Sequence, residues 1–159
     1  MQPIDLNELV LTALKTVSGE LNDRGITVRL QLASDLPTVL GHKGQLHEVL
    51  LNIVQNAIDA MAGIADRPRE LRLETSLRRE QVTLTIEDTG VGIARDRLAS
   101  LFEAFVTTKA RGTGLGLGIC RLIVDRHEGQ LHASSEVGKG TRFDVTLPVQ
   151  IKSAASQAA

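Results

Sequence analysis

The chain has 159 residues and a formal net charge of -1, with 42% hydrophobic and 23% charged residues, values typical of one soluble domain. Near-neutral charge and only three aromatic residues argue against a nucleic-acid binder, and no apolar run approaches the roughly 20 residues that span a bilayer. The single Cys120 excludes an internal disulfide, so we expect a reducing, cytoplasmic location. Because no apolar run is long enough, we also expect no membrane contact by this fragment.

The first half of the chain shows two helical patterns and one clear strand. Apolar residues three and four apart predict a helix over residues 4–17, with Gly19 as its stop. Alternation predicts a strand over residues 26–32, and a short extended piece is expected around Val39. The longest helical pattern covers residues 45–62 and is followed by a glycine.

The second half of the chain contains two predicted β-hairpins and one helix. Alternating apolar and polar residues predict four strands that pair in sequence order, at residues 71–77 with 82–86 and 131–135 with 141–147. A third helical pattern covers residues 115–127. Three helices and about five strands predict an α+β fold, a two-layer sandwich with the helices on one face of a mixed sheet.

A long connection over residues 87–112 separates the two hairpins, with a short helical stretch near residues 97–102. Connections of this length in compact domains are usually functional lids or disordered. Residues 151–159 are rich in Ala, Ser and Gln, and we expect a disordered tail there. The predicted domain therefore covers residues 1–150.

Polar residues recur on one face of the longest predicted helix. Glu48, Asn52, Asn56 and Ala60 are four residues apart and therefore lie on one stripe. Asn is a mediocre helix former, so the stripe either faces water or offers amide oxygens to a hard cation that phosphates have already neutralised.

Asp88 comes at the end of a predicted strand, directly before two glycines at positions 90 and 92. One interpretation makes Asp88 an ordinary turn residue whose carboxylate bonds the backbone two residues on. The other makes the carboxylate the acceptor for an exocyclic amine, with glycines that let a flat base approach the backbone.

Residues 112–118 place a glycine at every second position just before the third predicted helix. Such a segment can serve as a flexible hinge, or it can present N–H groups and the positive end of a helix dipole to an anion. It is not a P-loop, because no lysine follows in register, and it does not follow a predicted strand as a dinucleotide-binding loop would.

Taken together, these segments resemble the catalytic and ATP-binding domain of bacterial sensor histidine kinases, within the group that includes gyrase-type topoisomerases, mismatch-repair ATPases and heat-shock chaperone ATPases. The matching segments are an N box at residues 47–57, a first glycine box at 88–92, an F box at 101–109, and two further glycine boxes at 112–118 and 138–141. The resemblance implies a Bergerat-type ATP-binding fold with ATP and Mg²⁺ as cofactors. It is strongest to the subclass of nitrogen- and oxygen-responsive kinases.

The resemblance also implies a role for each matching position. Asn56 would hold Mg²⁺ on the ATP phosphates, beside Asn52 and Glu48 as the other catalytic residues, and Asp88 would accept from the adenine amine with support from Thr141. Glycines 90 and 92 would make room for the base. The implied ATP-binding residues are Asn52, Asn56, Asp88, Gly90, Gly92, Ile93, Phe105, Thr107, Thr108, Lys109, Gly112, Thr113, Gly114, Leu115, Gly116, Leu117 and Thr141.

The chain departs from the family pattern at three places. Asp59 and Ala60 stand where many relatives have a lysine and a tyrosine, so the phosphate cation is expected from Lys109 or Arg111 instead. His42 replaces the usual aspartate at the entry of the long helix, which costs about 1 kcal/mol of capping energy.

The phosphoacceptor histidine of such kinases is not recognisable in this chain. His47 and His127 are each followed by glutamate, but neither lies in the expected acceptor pattern, so the acceptor would belong to a separate helical-hairpin dimerisation domain. A response regulator would be an indirect partner, and the full-length kinase could be membrane-anchored.

Three other functions within the same group stay open. Hydrolytic relatives carry a glutamate four residues before the metal-binding asparagine, where this chain has Asn52, which cannot accept a proton. This disfavours an ATPase. A serine kinase of the anti-sigma type and a non-catalytic ATP-sensing module are the remaining alternatives.

Overall fold

The computed structural model of the protein describes residues 1–103 and 113–150, with the side chains of residues 113–116 left out. Phe105, Thr107, Thr108, Lys109 and Gly112 of the predicted site therefore lie outside the described residues, as does the predicted tail. The described elements in chain order are β1 (Gln2–Ile4), α1 (Leu6–Thr16), α2 (Ser18–Asp23), β2 (Thr27–Gln31), β3 (Val39–Gly41), α3 (Lys43–Met61), β4 (Glu70–Arg78), β5 (Gln81–Asp88), α4 (Arg95–Ala99), α5 (Thr113–Arg126), β6 (Gln130–Glu136) and β7 (Gly140–Pro148).

Five strands form one mixed sheet in the order β2-β4-β5-β7-β6. β2 runs parallel to β4, and the other three pairs are antiparallel. Both predicted hairpins are confirmed as β4–β5 and β6–β7, and a separate small sheet pairs β1 with β3. The predicted α+β class with a mixed sheet is therefore confirmed.

The helices cover one face of the sheet, with α3 packed against α1, α5 and β5. The apolar face of α3 is buried as its periodicity predicts, at Leu46, Val49, Leu50, Ile53, Val54, Ala57, Ile58 and Met61. These residues pack over inward-facing sheet residues such as Leu73, Leu84 and Val145. The opposite face of the sheet carries charged residues, among them Arg72 and Arg142, which completes a two-layer sandwich.

The described residues contain five helices, where the sequence predicted three long ones and a short stretch. The additional helix α2 begins one residue before Gly19, which was wrongly predicted to end the first helix. Gly19 has open space around its α-carbon, whereas Gly25 adopts a φ of +63° and donates to the carbonyl of Asn22. Gly25 is therefore the glycine that terminates this helical region. None of the helices in the described part of the chain is long and apolar enough to cross a membrane.

The N-terminus of α3 lacks a side-chain cap, as the sequence predicted, because His42 forms no capping hydrogen bond. The buried ring of His127 takes the place of a side-chain cap, because the backbone N–H of His42 donates to Nε2 of His127 at 3.0 Å. Nδ1 of the same ring lies 2.7 Å from the carbonyl of Ile123 and therefore donates to it. His127 thus ties the end of α5 to the start of α3.

Candidate functional site

A cavity of about 590 Å³ lies between α3, α4, the start of α5, the end of β5 and the start of β7. It brings together six of the predicted site residues, namely Asn56, Asp88, Gly92, Ile93, Leu117 and Thr141. Much of the remaining lining is apolar and includes Ala60, Val91, Leu101, Val137 and Phe143. A largely apolar wall with a few polar groups suits a planar heterocycle.

Asp88 is the buried carboxylate of this cavity and is only 5% exposed. Its Oδ1 accepts hydrogen bonds from the backbone N–H groups of Gly90 at 2.8 Å and Thr141 at 3.3 Å. Among the described residues no hydrogen bond reaches Oδ2. The two interpretations of Asp88 are therefore compatible, since one oxygen makes the turn and the other remains available to a ligand.

Burial raises the pKa of Asp88 from 3.8 to about 6, while the hydrogen bonds from Gly90 and Thr141 oppose the shift and the charge of Glu87 adds to it. A carboxylate in this position is ionised at neutral pH and becomes protonated in mild acid. Its capacity to accept a hydrogen bond from a ligand therefore depends on pH in an accessible range.

The glycines around Asp88 are required by close contacts between backbone segments. A Cβ on Gly90 would lie 2.6 Å from the Ala60 carbonyl oxygen, and one on Gly92 or Gly140 would overlap the backbone of Glu136 or Asp88. Gly92 and Gly140 also have φ values of +76° and +128°, which other residues rarely adopt. The first and third glycine boxes thus interlock. Space for a base, which the resemblance implied, is not needed to explain these glycines.

Ser135 connects the glycine boxes and was missed by the sequence analysis. Its hydroxyl accepts from the N–H of Ile93 at 2.7 Å and donates to the carbonyl of Gly140 at 2.8 Å. Its oxygen also lies 2.9 Å from Oγ1 of Thr141. Since the single Ser135 proton is directed to Gly140, Thr141 is the donor in that pair, and among the described residues no hydrogen bond reaches the lone pairs of Thr141 Oγ1. A lone serine in a strand gave no sequence signal for this role.

The predicted stripe on α3 is only partly at the cavity. Asn56 lines it, and no hydrogen bond engages the Asn56 side chain among the described residues. Glu48 is exposed and Asn52 is half-buried, and neither is among the described lining residues. The buried thiol of Cys120 in α5 donates to the carbonyl of Val49 on α3 at 3.8 Å, and burial raises its pKa to about 12, so this cysteine is an unreactive core residue.

Residues 113–118 of the second glycine box lie inside a helix, which corrects the prediction that the box precedes one. α5 already begins at Thr113, so Gly114, Leu115 and Gly116 belong to its first turn. The N–H groups of a first helical turn have no partner within the helix, so an anion-binding role remains compatible with this position. Arg97 of α4 also lines the cavity and was not predicted.

A second, more open cavity of about 450 Å³ lies on the outer face of the sheet. Its charged residues are largely paired with one another, since Arg72 lies 3.6 Å from Glu70 and 3.8 Å from Glu87. Lys139 likewise pairs with Glu136 at 3.2 Å. Asp88 borders both cavities, but only the inner one combines it with Asn56 and an apolar wall.

The chain is similar to curated histidine kinases over most of its length. It is 37% identical over 151 residues to the sensor histidine kinase ZraS of Escherichia coli (strain K12), an alignment that covers 95% of this chain and 32% of ZraS. It is 34% identical over 145 residues to sporulation kinase E of Bacillus subtilis (strain 168), covering 91% of this chain and 19% of that protein. The chain thus spans a third or less of these relatives.

Solved structures show the same fold. The nucleotide-free catalytic domain of histidine kinase ThkA superposes with a TM-score of 0.82 at 26% identity, covering 93% of this chain and 95% of that domain. Full-length ShkA in complex with AMPPNP also gives a TM-score of 0.82, at 30% identity, and the match covers 96% of this chain and 32% of ShkA.

Residues 41–151 match the family described as histidine kinase-, DNA gyrase B- and HSP90-like ATPases. This stretch contains α3 and both hairpins, and it includes every described residue that lines the inner cavity. The chain therefore belongs to this family, and within it the chain is a histidine kinase ATP-binding catalytic domain.

Proposed function

We propose that the inner cavity binds Mg-ATP, with the base at Asp88 and the phosphates towards Asn56 and the start of α5, and that the γ-phosphate passes to a histidine on a separate helical-hairpin domain. The observation that carries this proposal is the combination of Asp88, with one oxygen unbonded, and the unbonded amide of Asn56 in one apolar cavity.

Adenine recognition follows from the hydrogen-bonding capacity of the site. Oδ2 of Asp88 and Oγ1 of Thr141 both present acceptors, and the adenine amino group supplies donors. Guanine places a carbonyl oxygen at the corresponding position and would face these acceptors with no proton. The cavity should therefore select ATP over GTP, with Ile93 and Leu117 contributing to the apolar wall.

The chemistry of the described residues fits Mg²⁺ held mainly by the nucleotide. No group of three or more His, Cys, Asp or Glu among the described residues could hold a metal by itself. Mg²⁺ commonly takes one or two protein oxygens together with substrate phosphates and water. The unbonded Asn56 amide would provide that protein oxygen, and the metal would neutralise the phosphate charge when bound.

Transfer to a protein acceptor fits the site better than hydrolysis. Asn52 occupies the position where hydrolytic relatives would have their water-activating glutamate, and its amide side chain cannot accept a proton from water. Glu48 is a further turn away and exposed. Asp59 lines the cavity, but its carboxylate already accepts a hydrogen bond from the side chain of Gln55 at 3.2 Å. Asp59 also adjoins Ala60, which packs against Gly90 on the side of the cavity where the base is proposed to bind.

The other components of the reaction are part of the proposal. The curated relatives are two-component sensor kinases or sporulation kinases several times longer than this chain, which supports an acceptor domain elsewhere in the full-length protein. A response regulator would then receive the phosphate from that histidine. The domain itself would contact neither nucleic acid nor membrane.

Phosphotransfer in trans tests the proposal. The domain is incubated with γ-labelled ATP, Mg²⁺ and a separately expressed helical-hairpin domain that carries the cognate histidine. Label should appear on the hairpin domain and should be removed by acid, because phosphohistidine is acid-labile. Asn56→Ala should abolish transfer, whereas Asn22→Ala, at an exposed position on α2, serves as the matched control.

Two outcomes would contradict the histidine-kinase proposal. Acid-stable label on the partner would favour the serine-kinase alternative. Rapid phosphate release by the isolated domain, without any labelled partner, would favour an ATPase.

A further inference from the structure

Arg67 lies in the connection between α3 and β4 and is not among the described residues that line the cavity. Its guanidinium donates from Nε to the carbonyl of Thr89 at 3.0 Å and from Nη2 to the carbonyl of Gly90 at 2.7 Å. We infer that Arg67 is a positioning residue for adenine recognition, because it fixes the peptide group that orients the carboxylate of Asp88.

The argument rests on the peptide unit between Thr89 and Gly90. Its carbonyl accepts from Arg67, and its N–H donates to Oδ1 of Asp88 at 2.8 Å. A trans peptide is planar, so its C=O and N–H point in opposite directions and turn together. Rotation of this unit would break both bonds. By holding the carbonyl, Arg67 keeps the N–H directed at Oδ1 and leaves Oδ2 for the ligand.

Neighbouring bonds hold the same loop but do not control this peptide in the same way. The hydroxyl of Thr89 donates to the Pro68 carbonyl at 2.9 Å and accepts from the N–H of Glu70 at 3.0 Å. These bonds fix the Thr89 side chain, whereas Arg67 engages two successive backbone carbonyls with one rigid planar group. The second carbonyl, that of Gly90, lies directly before Val91, whose N–H donates to Ala60 of α3.

Arg67 also acts electrostatically on Asp88 through the shared peptide. A cation on the carbonyl polarises the peptide and makes its N–H a stronger donor to an ionised carboxylate. The bond from Gly90 is the largest factor that lowers the Asp88 pKa against the effect of burial. The other charged groups around the two cavities that Asp88 borders are Asp59, Glu70, Arg72, Glu87, Arg97, Glu136, Lys139 and Arg142.

Arg69 provides a matched control two residues along the same connection. Its guanidinium donates to three backbone carbonyls, those of Arg24, Ala62 and Ile64, and none of these belongs to the loop around Asp88. Replacement of Arg69 by alanine therefore removes three backbone contacts from the same region, whereas replacement of Arg67 removes two backbone contacts and the ion pair with the exposed Asp66 at 3.2 Å. Only the Arg67 replacement should disturb the base site.

The test, which rests on the proposed ATP site, compares ATP affinity and thermal stability of the wild type, Arg67→Ala, Arg67→Lys and Arg69→Ala across pH 5–8. We expect Arg67→Ala to bind ATP roughly tenfold more weakly at pH 7.5, as loss of an ordered charge-assisted bond would produce. Its loss of affinity on acidification should begin at higher pH than in the wild type. Arg67→Lys keeps the positive charge but not the planar guanidinium. The pH dependence of its ATP affinity should therefore be closer to that of the wild type than its affinity at pH 7.5 is.

Arg69→Ala should lose thermal stability but bind ATP within about twofold of the wild type, because it leaves the loop at Asp88 intact. Equal affinity losses in the two alanine variants would overturn the inference, since Arg67 would then act only on stability. Wild-type affinity in Arg67→Ala would overturn it as well. Failure of the wild type to bind ATP at all would instead refute the proposed function, so the two failures are distinguishable.

Discussion

Replacement of Asp88 by asparagine changes one atom at the centre of the proposed base site. Asparagine Oδ1 can still accept from the N–H groups of Gly90 and Thr141, but its NH₂ group takes the place of Oδ2 and meets the adenine amine donor to donor. Loss of a charge-assisted hydrogen bond costs about 1.5–3 kcal/mol, so ATP affinity should fall roughly 10- to 150-fold at pH 7.5.

The same substitution should have the opposite effect on the stability of the ligand-free domain. The folded-state pKa of Asp88 is raised from 3.8 to about 6, so the stability contribution of the protonated form is present below about 4 and is lost as the pH rises through 6. A neutral asparagine avoids this loss. Asp88→Asn should therefore unfold with a free energy about 1–3 kcal/mol higher than wild type at pH 7, and this difference should vanish near pH 4.

Calorimetric titration of both proteins with ATP from pH 5 to pH 8 measures the effect on binding, and urea unfolding without ligand measures stability. Titration of ATP itself affects both proteins and cancels in the ratio of their dissociation constants. The dissociation constant of Asp88→Asn divided by that of the wild type should decrease as the pH falls through 6, because a protonated Asp88 in the wild type also loses its charged acceptor. A constant ratio, or equal affinity of the wild type for GTP and ATP, would refute the assignment of Asp88.

Three further predictions concern stability and reactivity. Gly140→Ala should destabilise the domain by at least 2 kcal/mol, because its Cβ would overlap the Asp88 backbone at a φ of +128°, whereas Gly19→Ala in open space should be neutral or stabilising in the same urea titration. His127→Ala should cost about 2–4 kcal/mol by removing the buried link to α3, and His132→Ala at an exposed position on β6 less than 0.5 kcal/mol. Cys120, with a pKa raised to about 12, should react with iodoacetamide only after unfolding, which mass spectrometry can follow.

Features that depend on local sequence periodicity could be predicted. The buried face of α3 follows from apolar residues three and four apart, and both hairpins follow from the alternation of apolar and polar residues. Asp88 could be proposed because it is a polar residue at a strand end before two glycines. The three-residue strand β1 was missed because a segment of that length has no measurable period.

Features that depend on contacts between distant segments could not be predicted. Ser135 lies 42 positions from Ile93 and Arg67 lies 22 positions from Thr89, and neither residue type marks such a contact in the sequence. The sequence analysis singled out the glycines at 90 and 140, but the sequence could not show that each packs against backbone from another segment. The roles of Asn52 and Glu48 stay predictions, since these residues lie on the predicted face of α3 but are not among the described residues that line the cavity.

The most direct test of the account is a crystal structure of this domain with a non-hydrolysable ATP analogue and Mg²⁺. The account predicts the adenine amino nitrogen about 3 Å from Oδ2 of Asp88, as expected for a hydrogen bond, with the metal on the side-chain oxygen of Asn56. A base in the outer cavity between Arg72 and Arg142, or one whose amine contacts neither Asp88 nor Thr141, would contradict it.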